Sequence, residues 1–364
     1  MQRTTVGALG RRAVHGMGLL AVLALTACES VTSPEPTRPL DANLALRDYQ
    51  AMDQILATNA LAGFRALEGR TGRGTSAAVG VAARVAGVQS GASARELTLN
   101  LAAQLTEGVA LKEIISTRHR GKTLVHDAAT DTYVVSPTRT GAPANGVRFI
   151  TYEVDSIGKP ITARETGYAD LLDEGATTGE TIVLRLLVVN RGVTHLDYRT
   201  RLTLVGEIGS IGVEGFMSDG AARLDFTVGV TSRKSGTATL LDADFDLRVT
   251  ARDFTIKGKA RGIDEGTGDG AIELTVRHGQ SSVAANMIGS TGRIEGTVMV
   301  NGALLATATG DAKSPTITGP SGGQLTGSEL LMLLHIVDMT DSVFDLVEAL
   351  VKPVDNLVVL GWLL

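Results

Sequence analysis

The sequence predicts an α+β protein dominated by β structure: a large curled antiparallel β-meander, a half-open or closed barrel-like sheet, covered by N-terminal and C-terminal helices. Three observations predict it. Apolar residues recur at helical spacing from Asp41, switch to alternation at about Lys122, and return to helical spacing after Pro320. Forty-three glycines against nine prolines, with no Gly-X-Y period, supply many tight turns. At 43% hydrophobic and 20% charged, the 364 residues have a globular balance and suffice for two domains or one large sheet. A net charge of −5 excludes a phosphate-backbone binder, and an aromatic content of 4% excludes stacking platforms for single strands. No nucleic-acid partner is expected.

Residues 1–27 read as a signal peptide. Arg3, Arg11 and Arg12 make a basic start, with no acidic residue before Glu29. The apolar stretch from Met17 to Leu25 is too short to span a bilayer, which takes about 20 apolar residues. It leads into Leu25-Thr26-Ala27-Cys28, a branched apolar residue, two small residues and a cysteine. This segment resembles a bacterial lipoprotein signal, and the resemblance covers residues 1–28. It implies that the Cys28 thiol accepts a diacylglycerol, that Cys28 becomes the new N-terminus, and that palmitate-type chains make the membrane a partner. Glu29 stands where an aspartate favours inner-membrane retention in proteobacterial lipoproteins. The resemblance therefore implies an envelope protein of the outer membrane, facing the periplasm or the cell surface. Cys28 is the only cysteine, which removes disulfides and cysteine-based metal sites. Losing residues 1–27 removes three arginines and no acid, so the net charge moves from −5 to −8 over 337 residues. Residues 28–40 hold three prolines and no apolar periodicity, and read as a flexible tether.

Residues 41–120 read as an α-rich cap. Leu44, Leu46, Tyr49, Met52, Ile55, Leu56, Phe64 and Leu67 make one apolar stripe, so a single helix is expected from the Asp41 cap to the glycines at 69, 72 and 74. A weaker unit runs from about Ser76 to Val88, and a third helix ends near Ile115. Leu97, Leu99 and Leu101 alternate and could open as a strand.

Residues 121–318 read as the β region, with about ten to twelve strands. Alternation is clear in Thr194–Val205, where Leu196, Tyr198, Leu202 and Leu204 face one way and His195, Asp197, Arg199, Arg201 and Thr203 the other. Leu224, Phe226 and Val228 repeat it, as do Phe245, Leu247 and Val249, then Leu274 and Val276. Asn145-Gly146 is expected to form a tight turn with positive φ. Connections this short imply antiparallel neighbours. Residues 319–364 read as C-terminal helices packing on the sheet. Thr326 and Glu329 have capping-box spacing. A second helix from Asp341 carries Val343, Phe344, Val347, Leu350 and Val351 and stops before Pro353. The tail Leu357–Leu364 is almost wholly apolar and reads as buried against the sheet, with a membrane-contacting patch as the alternative.

The chemistry that can be read is sparse, and no catalytic or metal-binding set is assigned. Ile208-Gly209-Ser210-Ile211-Gly212 lacks the first glycine of a nucleophile elbow, and Gly72-x-Gly74 follows a helix rather than a strand. His126 lies beside Asp127, which could orient it as a base. His195 is expected to be solvated on a polar strand face. Asp242, Asp244 and Asp246 share a face at about 7 Å between alternate residues, too far apart to chelate one ion unaided. Cross-strand arginines such as Arg199 and Arg201 are expected to neutralise them. Asp264 to Gly270 reads as a hairpin turn, with a calcium loop as the alternative. In the loop from Ser136 to Phe149, two prolines and two glycines set Arg139 and Arg148, the candidate ligand-binding residues for a carboxylate or other acidic group. The alternative is a rigid connection between cap and sheet.

Two functional classes follow. One is a lipid-anchored, non-enzymatic envelope protein that holds a lipid or other hydrophobic ligand in a curved sheet, without a cofactor. In architecture alone this is similar to the half-open barrel of bacterial lipoprotein-carrier proteins. The other is a structural or assembly lipoprotein with a filled core and an envelope-protein partner on its surface. A transmembrane barrel fits less well, because the strands lack aromatic girdles.

Overall fold

A computed structural model describes residues 42–67, 115–175, 181–206, 208–236, 238–264, 269–311, 314–333 and 336. The signal peptide with Cys28, the tether, the Ser76–Val88 unit, the run from Leu97, the helix from Asp341 and the tail Leu357–Leu364 lie outside the described residues.

The protein is mostly β. Its strands are β1 (Lys122–Asp127), β2 (Thr132–Val135), β3 (Gly146–Val154), β4 (Pro160–Asp173), β5 (Thr181–Asn190), β6 (Val193–Val205), β7 (Ile208–Ser218) and β8 (Arg223–Ser235). The series continues with β9 (Ala238–Val249), β10 (Phe254–Asp264), β11 (Gly270–His278), β12 (Ser281–Ser290), β13 (Arg293–Val300), β14 (Ala303–Asp311) and β15 (Ser314–Thr318). They form one 15-stranded sheet, more strands than the alternation predicts, ordered as in the chain from β15 back to β3 and ending β1-β2. Among the described residues the order does not close: β15 and β2 are its two ends. Short turns impose this order, because two-residue links such as Arg191-Gly192 and Asn301-Gly302, all with φ between 50° and 81°, return the chain beside the strand it left. One pair departs from the antiparallel expectation. β1 lies parallel to β3, with Lys122 opposite Val147 and Leu124 opposite Phe149. The stiff loop after β2 is the crossover that carries the chain back.

The structure divides into two compact units. Among the described residues, one holds 53–227. Its apolar sheet face is built from directly opposed residues such as Val147, Leu171, Leu186 and Tyr198, each at most 1% exposed. The N-terminal stripe belongs partly here, but not as one helix. α1 (Ala42–Leu56) stops, a 3-10 turn (Asn59–Leu61) follows, and α2 (Ala62–Arg65) resumes. Thr58 breaks the run by accepting the Ala60 N–H on its side chain, offering the backbone an alternative to the helix. α2 packs on β3 and β4, and the 3-10 turn on β5. Gly146 does not take positive φ. It opens β3, where a Cβ would run into the Leu171 carbonyl, so the glycine serves close strand approach instead.

The other unit holds 42–52 and 228 onward. Its apolar rows run straight across the ladder, as in Leu247, Ile256, Val276, Val283 and Val300, none more than 2% exposed. At Gly258 the Phe245 ring lies over the backbone, closer than 3.0 Å to where a Cβ would stand. The capping box is present: Thr326 N donates to Glu329 Oε2 at 2.8 Å and Glu329 N to Thr326 Oγ1 at 3.3 Å. It opens helical residues 327–333 and 336, whose Leu333 and Ile336 pack with Val283, Val300, Leu305 and Ala306.

Candidate functional site

Both arginines of the β2–β3 region are engaged by carboxylates of β4. Arg148 sits directly opposite Asp170 in the ladder and forks onto it, Nε to Oδ1 at 2.7 Å and Nη2 to Oδ2 at 2.6 Å. Its guanidinium also lies 3.7 Å from the Tyr168 ring centroid. The hydrogen bonds that Arg148 donates to Asp170 raise its pKa above the ordinary value. Arg139 reaches Glu165 instead, Nη2 to Oε2 at 2.7 Å, at the surface. The two guanidinium groups thus face different acids rather than one shared site.

Burial ranks the two pairs. Arg148 and Asp170 are 20% and 7% exposed, Arg139 and Glu165 52% and 38%. Asp170→Ala is expected to lower stability by about 2 kcal/mol, because it strands a half-buried cation, whereas Arg139→Ala is expected to stay within about 0.5 kcal/mol. Urea denaturation decides; equal effects would remove the burial argument.

His126 and Asp127 do not act together. Neighbours in a strand point to opposite faces. Asp127 instead accepts from Ala129 N and Thr130 Oγ1 in the β1–β2 turn, and these bonds, the Ala129 one first, lower its pKa. The His126 side chain is wholly buried against Tyr133 and Tyr152, its Nε2 is 3.0 Å from Asp131 Oδ1, and its Nδ1 has no hydrogen-bond partner among the described residues. Burial raises the Tyr152 phenol, with the His126 backbone pulling it the other way. An imidazole shut off from solvent cannot meet a substrate as a base.

His195 corrects another expectation. It lies on the polar face but is 7% exposed, its Nδ1 donating to the Ser218 carbonyl at 2.9 Å. Two members of the acidic row are paired, but not with Arg199 or Arg201. Arg199 pairs with Glu174 and Glu214. Asp246 pairs with Lys257 at 2.7 Å and Asp242 with Arg233 at 3.4 Å, because the neighbours of β9 are β8 and β10. Asp242 also accepts the Gly262 N–H at the β10 bulge. Ser210 lies within β7 opposite Thr203, far from any strand-to-helix turn. Residues 265–268 of the acidic turn lie outside the described residues. Among the described residues, no three potential ligands cluster for a metal ion, and no helix is long and apolar enough to cross a membrane.

Two features were not legible in the sequence. Asp48 of α1, 1% exposed, accepts from Arg252 Nη1 at 2.9 Å and pairs with His278 Nδ1. Arg252 lies in the turn between β9 and β10 and His278 ends β11, so one carboxylate ties α1 to two hairpins. The second is Thr200, fully buried on the apolar face between Leu184 and Val213, with no hydrogen-bond partner for its hydroxyl among the described residues. Compared with protein families, curated proteins and solved structures, the chain matches none.

Proposed function

We propose that the chain is a lipid-anchored, non-enzymatic protein of the outer membrane, held by acyl chains on Cys28, which seats a lipid or other hydrophobic ligand against the apolar face of its sheet. The observation that carries the ligand reading is the Thr200 hydroxyl. A buried hydroxyl without a partner costs about 1–3 kcal/mol, and the polar end of an otherwise apolar ligand would satisfy it where the surrounding leucines and valines cannot. The structural reading is favoured by a different observation, the near-complete burial of that same face by the chain itself.

Thr200→Val separates the two, since it swaps the hydroxyl for a methyl group. A ligand-seating face predicts that lipid co-purifying with the wild type, measured by mass spectrometry of an organic extract, falls in the variant. A filled core predicts a gain of about 1–2 kcal/mol in stability and no lipid in either protein. Anchoring is tested by Cys28→Ala: palmitate label is expected on the wild type alone, with the variant leaving the membrane fraction. Each acyl chain contributes about 0.8 kcal/mol per buried CH₂. An unlabelled wild type sinks the anchor.

A further inference from the structure

In the unit that holds β9–β15, the face opposite the core carries a row in which arginine and hydroxyl alternate. The buried row Leu247, Ile256, Val276 and Val283 fixes its position, because neighbours along a strand point to opposite faces. Arg248 of β9 therefore faces outward directly opposite Thr255 of β10. Thr255 is directly opposite Arg277 of β11, and Arg277 directly opposite Ser282 of β12. Both arginines are exposed, and Thr255 and Ser282 are half-buried. Among the described residues neither guanidinium has an ion pair or a hydrogen bond. The carboxylates beside them are placed otherwise. Asp246, two residues before Arg248, is 2.7 Å from Lys257. Asp253, two residues before Thr255, closes the β9–β10 turn in a left-handed conformation, its Oδ2 3.8 Å from where a Cβ on Gly279 would stand.

We propose that Arg248, Thr255 and Arg277 hold a terminal phosphate group. The two arginines stand two strand spacings apart, about 10 Å, and their long side chains can lean together over the threonine between them. Each guanidinium offers a planar fork of N–H donors. A carboxylate has two oxygens and is filled by a single fork, as Asp170 is by Arg148. A terminal phosphate presents three acceptor oxygens, enough for two forks and the Thr255 hydroxyl. Arginine rather than lysine at both positions suits this planar recognition. Free phosphate and the head of a phosphomonoester lipid present the same chemistry. Two arginines serve one phosphate group and not the run of phosphates in a nucleic acid, so the net charge of −5 does not oppose the site. It lies outside the unit that holds Thr200 and does not rest on the ligand reading above.

The test is modification by phenylglyoxal, which attacks accessible guanidinium groups, read residue by residue by mass spectrometry. Arg201, exposed and likewise without an ion pair among the described residues, is the control. The full chain carrying Cys28→Ala is used, so that no acyl chain takes it to a vesicle. Inorganic phosphate at ten times its half-saturating concentration is expected to slow modification of Arg248 and Arg277 about tenfold, because only the empty site reacts, and to leave Arg201 unchanged. Slowing by inorganic phosphate supports the site with free phosphate as its ligand. Slowing only by vesicles of phosphatidic acid in phosphatidylcholine supports it with the lipid head as the source. Slowing by neither, or of Arg201 as much as of the pair, overturns it. Arg277→Gln, an exposed substitution, is expected to return Arg248 to fast modification whichever source protects the wild type. An Arg248 still protected in that variant shares no anion with Arg277, and this too overturns the site.

Discussion

Replacing both Arg252 and His278 by alanine is expected to cost about 3–5 kcal/mol, more than replacing the carboxylate they serve. Asp48 is 1% exposed, whereas Arg252 and His278 are 43% and 26% exposed. Removing the two partners leaves a negative charge in a place water does not reach. Removing the charge instead, by Asp48→Asn, keeps an acceptor for Arg252 and lets two half-exposed groups turn to solvent, so its cost is about 1 kcal/mol. Urea unfolding of the three proteins gives the ranking. If Asp48→Asn proves the costlier change, the burial asymmetry is not what holds α1 on the two hairpins.

Gly258→Val is the second large effect. The Phe245 ring occupies the space where any side chain at 258 would begin, and Phe245 is 6% exposed, so it has nowhere to retreat. Overpacking of this kind costs about 1–3 kcal/mol, and here the high end is expected because the β-branched side chain meets the ring at its root. The smaller change Gly258→Ala should be partly rescued by Phe245→Leu. Phe245→Ala alone costs about 3–5 kcal/mol. A double-mutant cycle between 258 and 245 should therefore return a coupling of about 1 kcal/mol or more. Additive effects would mean that the ring does not lie over the glycine.

The β region was legible where one face is wet. β6, β8 and β9 alternate because Leu196, Leu224 and Leu247 go inward while Arg199, Arg223 and Arg248 stay out. β5 shows no such rhythm in its sequence: Ile182, Leu184, Leu186 and Val188 go inward, but Val183, Leu187 and Val189 on the other face are apolar too, and Val183 and Val189 are buried. The N-terminal stripe was visible but its break was not, since one threonine side chain decides it. The same limit applies to charges. Arg148 was singled out by its loop, yet its carboxylate lies on β4, 22 residues on. Asp48 finds Arg252 across 204 residues. Spacing along the chain carries no trace of such pairs, which exist only once strand order is set.

Strand order has a consequence for how the sheet comes into being. From β3 to β15 every neighbour in the sheet is also the neighbour in the chain. Each new strand therefore closes a short loop, and loop-closure entropy stays small at every step. Such a sheet can grow by zipping hairpin onto hairpin, with fast folding for its β content. Damage should stay local in the same way, since a lost hairpin deprives only the strands on either side. The β1–β3 pair is the exception. It must wait for the whole β1–β2 hairpin and its crossover, which makes that edge the last to form and the first to open.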